Sequence, residues 1–405
     1  MATETARYEL PNLISAAHSA LLTDDKDAID FVDNIDRFLR QFGMKKQLMA
    51  LNSSDFSDSR ESSDKTWLIQ QHKQAEQFLS SGDFESAKKA SYKILDRLPT
   101  TPSYDRCRTL ELLGRCEMEI GNVEKAKEHY YEAISIGKAL ETSKSVKQLL
   151  GITYGHLGSL LQGIADFDNA ENAYQESIKL SREADNKEGE FKTKTNLGVM
   201  NIFRGNFISA EENLLQSLRY CRSVHSPVWE ADILHNLGFA YEMTDELDKA
   251  EKLDKAEKYY RESLALKVGI GNISGLNGAV ITWLQLGSVY HKSGKNKDAE
   301  ACYRKCLDIF KQSPINYFHY STTLTLLGEI LLQDPHRLTE ARKIAEEALV
   351  YRQKLDPKRA GIWRVYELLE QVATKQGDTV SAIEYAQAAN QAKMDALEWM
   401  QSMGN

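Results

Sequence analysis

The sequence predicts an all-α solenoid of about eight helix–turn–helix repeats preceded by a helical hairpin. Three observations carry this. First, six Leu-Gly pairs recur: Leu113-Gly114, Leu157-Gly158, Leu197-Gly198, Leu237-Gly238, Leu286-Gly287 and Leu327-Gly328, with glycine-to-glycine gaps of 44, 40, 40, 49 and 41 residues. Second, an alanine stands twelve residues after each of the first five glycines: Ala126, Ala170, Ala210, Ala250 and Ala299. Self-similarity at a nearly fixed period marks a repeat architecture. Third, all seven prolines fall between helical patterns or at a helix start, where a missing N–H is tolerated, and no alternating run of Val, Ile and Thr suggests a strand.

The first segment, residues 1–50, reads as a separate helical hairpin over residues 8–50. Leu10, Leu13, Ile14, Ala17 and Leu21 form one stripe; Ala28, Phe31, Val32, Ile35, Phe38, Leu39 and Phe42 form another, with Gly43 as a stop. Residues 51–66 follow as a linker or loop. Six of the eleven residues from Ser53 to Ser63 are serines and three are acids, a composition that cannot build a core.

From residue 67 to 405 each unit reads as two helices, A and B. In one, Leu113 and Gly114 sit mid-helix, Gly121 closes the turn, and Ala126, Tyr130 and Ala133 follow at helical spacing. A mid-helix glycine costs about 1 kcal/mol relative to alanine. Six of them imply close contact at that point, with helix A lying against its own helix B and the alanine serving the same contact. The tyrosine or leucine four residues after the alanine is expected to fill the space toward the next unit. Two less regular units bracket the six as caps: Ala75, Phe78, Gly82, Phe84 and Ala87 upstream, with Pro99 ending the second helix, and Leu369, Gly377, Ala382, Ala386 and Ala389 downstream. Ala396, Trp399, Met400 and Met403 share one face of a last helix, which is expected to pack back on the final unit. The long gap contains a tandem duplication, residues 247–252 repeated as 253–258; removing one copy shortens the gap to 43. The second copy should carry the register, because Ala256 is followed four residues later by Tyr260.

The pattern resembles the tetratricopeptide repeat family over residues 67–400. That family's unit is about 34 residues; the longer units here are similar to kinesin-light-chain-like arrays. The resemblance implies a right-handed superhelix and a non-enzymatic module that holds a protein or an extended peptide in a concave groove lined by the A helices. A second resemblance lies at the start. Glu9-Leu10-Pro11-Asn12-Leu13, Ala16-Ala17, an Asp-rich turn, Ala28-x-x-Phe31 and Phe38-Leu39-x-x-Phe42-Gly43 look like the helical pair that leads into the tetratricopeptide sensor of bacterial STAND-type ATPases. The chain has no Gly-x-x-x-x-Gly-Lys-Ser/Thr loop to cradle phosphates. The resemblance therefore implies the sensor or partner-docking half of a signalling or defence system, with the ATPase or effector module outside this chain, and no cofactor.

The groove residues follow from position. Before the Leu-Gly pairs stand Leu112, His156, Asn196, Asn236, Gln285 and Leu326; after them stand Arg115, Ser159, Val199, Phe239, Ser288 and Glu329. All are expected to face the groove. His156, Asn196, Asn236 and Gln285 form a ladder, and amides both donate and accept, so they can bind an extended backbone. The resemblance to kinesin-light-chain-like repeats assigns this role best to Asn196 and Asn236; His156 and Gln285 depart from it. Arg115, Phe239, Ser159 and Ser288 would add side-chain selectivity. The alternative is that the amides bond to neighbouring helices or water. Only Lys192 and Arg108 sit near the face where chaperone-binding repeats clamp a carboxylate, so a chaperone tail is not expected.

Other chemistry is thin. Cys302 and Cys306, four apart on a helix, could share a metal, but no further ligand is tied to them by spacing, and buried core cysteine is the simpler reading. His235 and His291 lie on A helices with no nucleophile beside them. With 51 basic and 59 acidic residues the net charge is −8, and no basic stripe favours nucleic acid. No 18-residue apolar run or signal-peptide pattern occurs, so no membrane span is expected. Five scattered cysteines fit reduced thiols in a cytoplasm. Two rival readings stand beside the sensor: a free-standing adaptor that scaffolds a complex, and a peptide-sensing regulator whose N-terminal bundle dephosphorylates a response regulator, using Gln41 or Gln47.

Overall fold

The computed structural model describes residues 64–403, apart from 141–142, 245–248, 271–272, 312–315 and 356–360. The hairpin over 8–50 and most of the serine-rich linker lie outside the described residues. Among those described there are sixteen α-helices, one short 3-10 turn (Pro335–Arg337) and no strand. The helices pair in sequence. They are α1 (Asp64–Ser81) with α2 (Phe84–Leu95), α3 (Tyr104–Ile120) with α4 (Val123–Ala139), α5 (Lys144–Gly163) with α6 (Phe167–Glu183), and α7 (Lys187–Phe203) with α8 (Phe207–Ser223). Then come α9 (Pro227–Glu242) with α10 (Lys249–Ile270), α11 (Ile273–Lys292) with α12 (Asn296–Phe310), α13 (Tyr317–Leu331) with α14 (Leu338–Arg352), and α15 (Trp363–Gln376) with α16 (Thr379–Met403).

Side-chain caps fix several starts: Ser103 accepts from the Arg106 amide at 3.2 Å, Ser143 from Val146 at 3.3 Å and Asn186 from Gly189 at 3.0 Å. Gly121 ends α3 in the left-handed region, φ 92°, a conformation that glycine adopts without steric penalty. Contacts divide the chain into two compact units that meet between Trp229 and Glu230. In the first, Tyr130, Leu150, Leu157, Tyr174 and Met200 are buried among alanines. In the second, one cluster runs from Leu253 to Val372 through Tyr260, Tyr303, Leu327 and Leu368.

The Leu-Gly glycines work as expected, and the tyrosine packs on them as well. A Cβ placed on Gly114 would lie 2.5 Å from the Tyr130 ring, one on Gly158 2.6 Å from Tyr174, and one on Gly238 2.7 Å from Tyr260. Gly287 meets Tyr303 in the same way, and Gly198 meets Leu214. The residue four after the alanine therefore covers the glycine of its own pair, and Tyr130 also meets the His156 ring of the next pair, centroids 6.4 Å apart. Gly328 is different. Its helix-B counterpart is Ala345, too small to cover it, and Leu368 from α15 fills the space instead, 2.6 Å from where a Cβ would be.

The tandem duplication resolves on its second copy. Ala256 and Tyr260 are fully buried, whereas Ala250 is exposed, so the extra residues lengthen the start of α10. All five cysteines are buried and free. Burial pushes the Cys302 thiol up to about 12, and Cys306 donates to the Val280 carbonyl. At the C-terminal end Ala396 is buried on α16; the side chains of Trp399, Met400 and Met403 lie outside the described residues.

Candidate functional site

The first helices of successive pairs are tied to one another by polar side chains, and those ties define a face. In the first unit, Arg115 on α3 donates through Nη1 to both carboxylate oxygens of Glu76 on α1, at 3.2 Å each. One turn earlier, the nearly buried Glu111 carboxylate lies 2.6 Å from Nδ1 of His156 on α5. Burial alone would raise the Glu111 carboxyl, but His156 and Arg115 outweigh it and hold it below the ordinary value. On α5, Ser159 donates to the Gly155 carbonyl at 3.1 Å, and the Tyr174 hydroxyl approaches it at 3.2 Å. Asn196 on α7 is exposed and reaches back to the Ser159 hydroxyl at 3.4 Å, a long and weak bond.

In the first unit this places His156 and Asn196, each just before a Leu-Gly pair, at the seam with the preceding first helix. Leu112 is accordingly not on an open groove. It is fully buried with Ala75, Leu79 and Cys116 between α1, α2 and α3. Val199 on α7 is half-buried.

The second unit repeats the arrangement with different chemistry. His235 on α9 meets the Thr282 hydroxyl on α11 at 3.0 Å; burial, with Lys267 nearby, brings its imidazole down to about 3, so it is neutral. Two turns along α9, the Glu242 carboxylate is 4% exposed and accepts from Ser288 at 2.7 Å, Lys292 at 2.8 Å and the Tyr260 hydroxyl at 2.9 Å. Between these two crossings lie Asn236, Phe239 and Gln285. The amides of Asn236 and Gln285 are half-buried and make no hydrogen bond among the described residues. Phe239 is half-buried and packs against the core cluster. Further along, Leu326 is half-buried against that cluster, and burial raises the Glu329 carboxyl despite His291 and Arg364 nearby.

Sequence reasoning missed Glu111 and Glu242. Neither is marked by the Leu-Gly spacing, yet Glu111 stands between Leu110 and Leu112, and Glu242 occupies the position four after the glycine where α5 has Gln162. Gln162 also meets a helix-B tyrosine hydroxyl, Tyr174, at 2.9 Å. A helix-B tyrosine hydroxyl is thus the partner at both Gln162 and Glu242, whereas that of Tyr130 is buried without one among the described residues. Among the described residues no group of three His, Cys, Asp or Glu side chains could hold a metal, and none of the histidines assembles a nucleophile and base.

Family models of the tetratricopeptide repeat match residues 278–349 and, in a second form, residues 108–137 and 153–183. A search of curated protein sequences found no match. Solved structures of the same fold include the Signal Transduction ATPase with Numerous Domains (STAND) protein with a tetratricopeptide repeat sensor from Pyrococcus horikoshii. It has a TM-score of 0.61 at 14% identity, over 98% of this chain and 64% of that one. The apo quorum sensor NprR from B. thuringiensis gives 0.58 at 14% identity, over 96% and 99%. A Rap protein complexed with Competence and Sporulation Factor gives 0.56 at 14% identity, over 96% and 99%. The chain thus carries tetratricopeptide repeats within an all-α fold that these solved structures share. Such repeats make protein-binding modules, and scaffolds of this kind are generally non-catalytic. No described helix is long and apolar enough to cross a membrane.

Proposed function

We propose that the chain is a peptide-binding receptor module that holds an extended segment of a protein partner along its first-helix face. The observation that carries this is the pair of half-buried amides, Asn236 and Gln285, with no hydrogen bond of their own among the described residues. An amide partly removed from water and unpaired is a site prepared for a backbone C=O or N–H, because leaving it unpaired costs free energy that a ligand recovers. Asn196 holds the equivalent place in the first unit with one weak bond to give up. His156 is committed to Glu111 and serves as wall rather than ladder. Phe239 and Arg115 would select side chains, with Ser159 and Ser288 as polar edges.

In biological terms this is the sensor or partner-docking part of a STAND-type signalling or defence system, supported by the likeness in fold to a STAND protein whose sensor is built of the same repeats. A second reading is a peptide-sensing regulator, supported by the likeness in fold to the quorum sensor.

The test is affinity selection from a random-sequence peptide library, followed by titration of the selected peptides. Asn196→Ala with Asn236→Ala should weaken binding about tenfold or more, since each unpaired peptide group costs roughly 1–3 kcal/mol. Helicity should be unchanged, because neither side chain holds the fold together. If the selected peptides bind the double variant as tightly as wild type, this face is not the binding surface, and the opposite face or the 8–50 segment becomes the place to look.

A further inference from the structure

Second helices reach toward the following pair with charge at a fixed position. One residue after the alanine near the helix start stand Glu171 on α6, Glu257 on α10, Glu300 on α12 and Arg342 on α14. Each makes an ion pair with the next helix pair: Glu171 with Arg204 at 2.7 Å, Glu257 with Lys295 at 3.0 Å, Glu300 with Arg337 at 2.7 Å and Arg342 with Asp378 at 3.0 Å. On α16 the alanine is Ala382, but the residue after it is Ile383. Two residues before the alanine stand Asp168, Asp254 and Lys297 on α6, α10 and α12; α16 has Val380 there.

These two replacements begin a stripe. Val380, Ile383, Gln387, Asn390, Met394 and Leu397 are all exposed, and the four apolar members are each more than half exposed. Ala389 and Ala396, on the opposite face of α16, are buried. A stripe that advances by three, four, three, four and three residues is the a/d seam along which one helix meets another. It also reads the same from either end. With a second α16 laid antiparallel about a two-fold axis between Ala388 and Ala389, Val380 comes opposite Leu397, Ile383 opposite Met394 and Gln387 opposite Asn390. The two central layers then pair amide with amide, each group able to donate and accept, and a polar layer of this kind fixes register in helix pairs. Like charges do not meet: Glu384 comes opposite Gln391 of the other copy, and Lys393 opposite Ala386.

We propose that the exposed face of α16 binds the same face of a second copy of this chain, in an antiparallel two-fold pair. Such a contact is self-complementary and closes after two copies. Covering the eight aliphatic side chains removes on the order of 500 Å² of apolar surface. The amides and the flanking polar residues bring the total to roughly 1,000 Å², the lower bound of a specific interface, so the dimer is reversible. Peptide binding is not involved, because α16 is a second helix and no residue of the first-helix face takes part.

The experiment is sedimentation of the full chain over roughly 1–200 μM. Mass should rise with concentration from one chain to two. Ile383→Glu should weaken the association by about tenfold or more, since each dimer then buries two unpaired carboxylates. Ile208→Glu should leave it unchanged; Ile208 is exposed and holds the place of Val380 on α8. All five native cysteines are buried, so introduced thiols report alone. Under oxidation a mixture of Ile383→Cys and Met394→Cys chains should form a disulfide-linked pair, and neither variant by itself should. Every substituted position is exposed, so the fold is retained. A chain that stays single throughout, a dimer indifferent to Ile383→Glu, growth beyond two copies, or cross-linking of either cysteine variant with itself overturns the proposal.

Discussion

A Cβ on Gly158 would stand 2.6 Å from two carbons of the Tyr174 ring, and that ring is fully buried. Neither group can move away. The helix itself would prefer alanine by about 1 kcal/mol, but overpacking a close-packed core costs roughly 1–3 kcal/mol, so sterics should win. Gly158→Ala is expected to lower stability by about 1 kcal/mol in a urea melt, the difference of those two effects. Gly163, the last residue of the same helix, has nothing within 4 Å of a Cβ. There Gly163→Ala should raise stability by about 0.4–1 kcal/mol through the unfolded chain. Equal effects at the two positions would mean that the Tyr174 contact does not set the helix spacing.

At the level of elements, charged ladders join successive pairs within each unit. Arg337, in the 3-10 turn, donates to both oxygens of Glu300 on α12, at 2.7 and 2.8 Å, and to Glu340 on α14, which also pairs with Arg304. The Arg337 hydrogen bonds, against the opposing effect of burial, bring the Glu300 carboxyl down to about 2 from an ordinary 4.5. A depressed folded-state value means that the stabilisation is complete above the ordinary carboxylate range and fades as pH falls toward 2. The stability difference between wild type and Glu300→Gln should therefore be flat above pH 5 or so and shrink between about pH 4.5 and 2; a difference that grows on acidification would contradict it. Pairing, helix type and glycine spacing were legible in the sequence because they depend on side-chain size at fixed intervals. The direction of the tyrosine was not, since Tyr130 or Tyr174 can reach its own helix A or the next with equal spacing. Nor were Glu111 and Arg352 legible as buried charges. Arg352 does fall on the buried stripe of α14, at helical spacing after Ala341, Ala345 and Ala348, and that spacing was the available signal. A pattern search that treats every charge as solvated passes over it.

For the molecule as a whole, burial that is local to each pair and its neighbours implies stability built up piece by piece. The unit that ends at Trp229 has its own buried clusters between α1 and α8. Residues 64–229 expressed alone should therefore remain predominantly helical by circular dichroism and unfold cooperatively on heating. A random-coil spectrum would show that the first unit needs the second. The full chain should show no strand contribution in the same measurement.

The glycine at Gly328 has a consequence for rearranging the chain. In five of the pairs the notch on the first helix is filled by a residue of the second, so each such pair carries its own key and could be copied, deleted or transplanted as a closed part. The α13–α14 pair is the exception: Ala345 leaves the notch open and Leu368 closes it from the following pair. Cut after Arg352, the array would end on an unfilled notch; cut one pair later, it would not. The last four helices are thus one indivisible block.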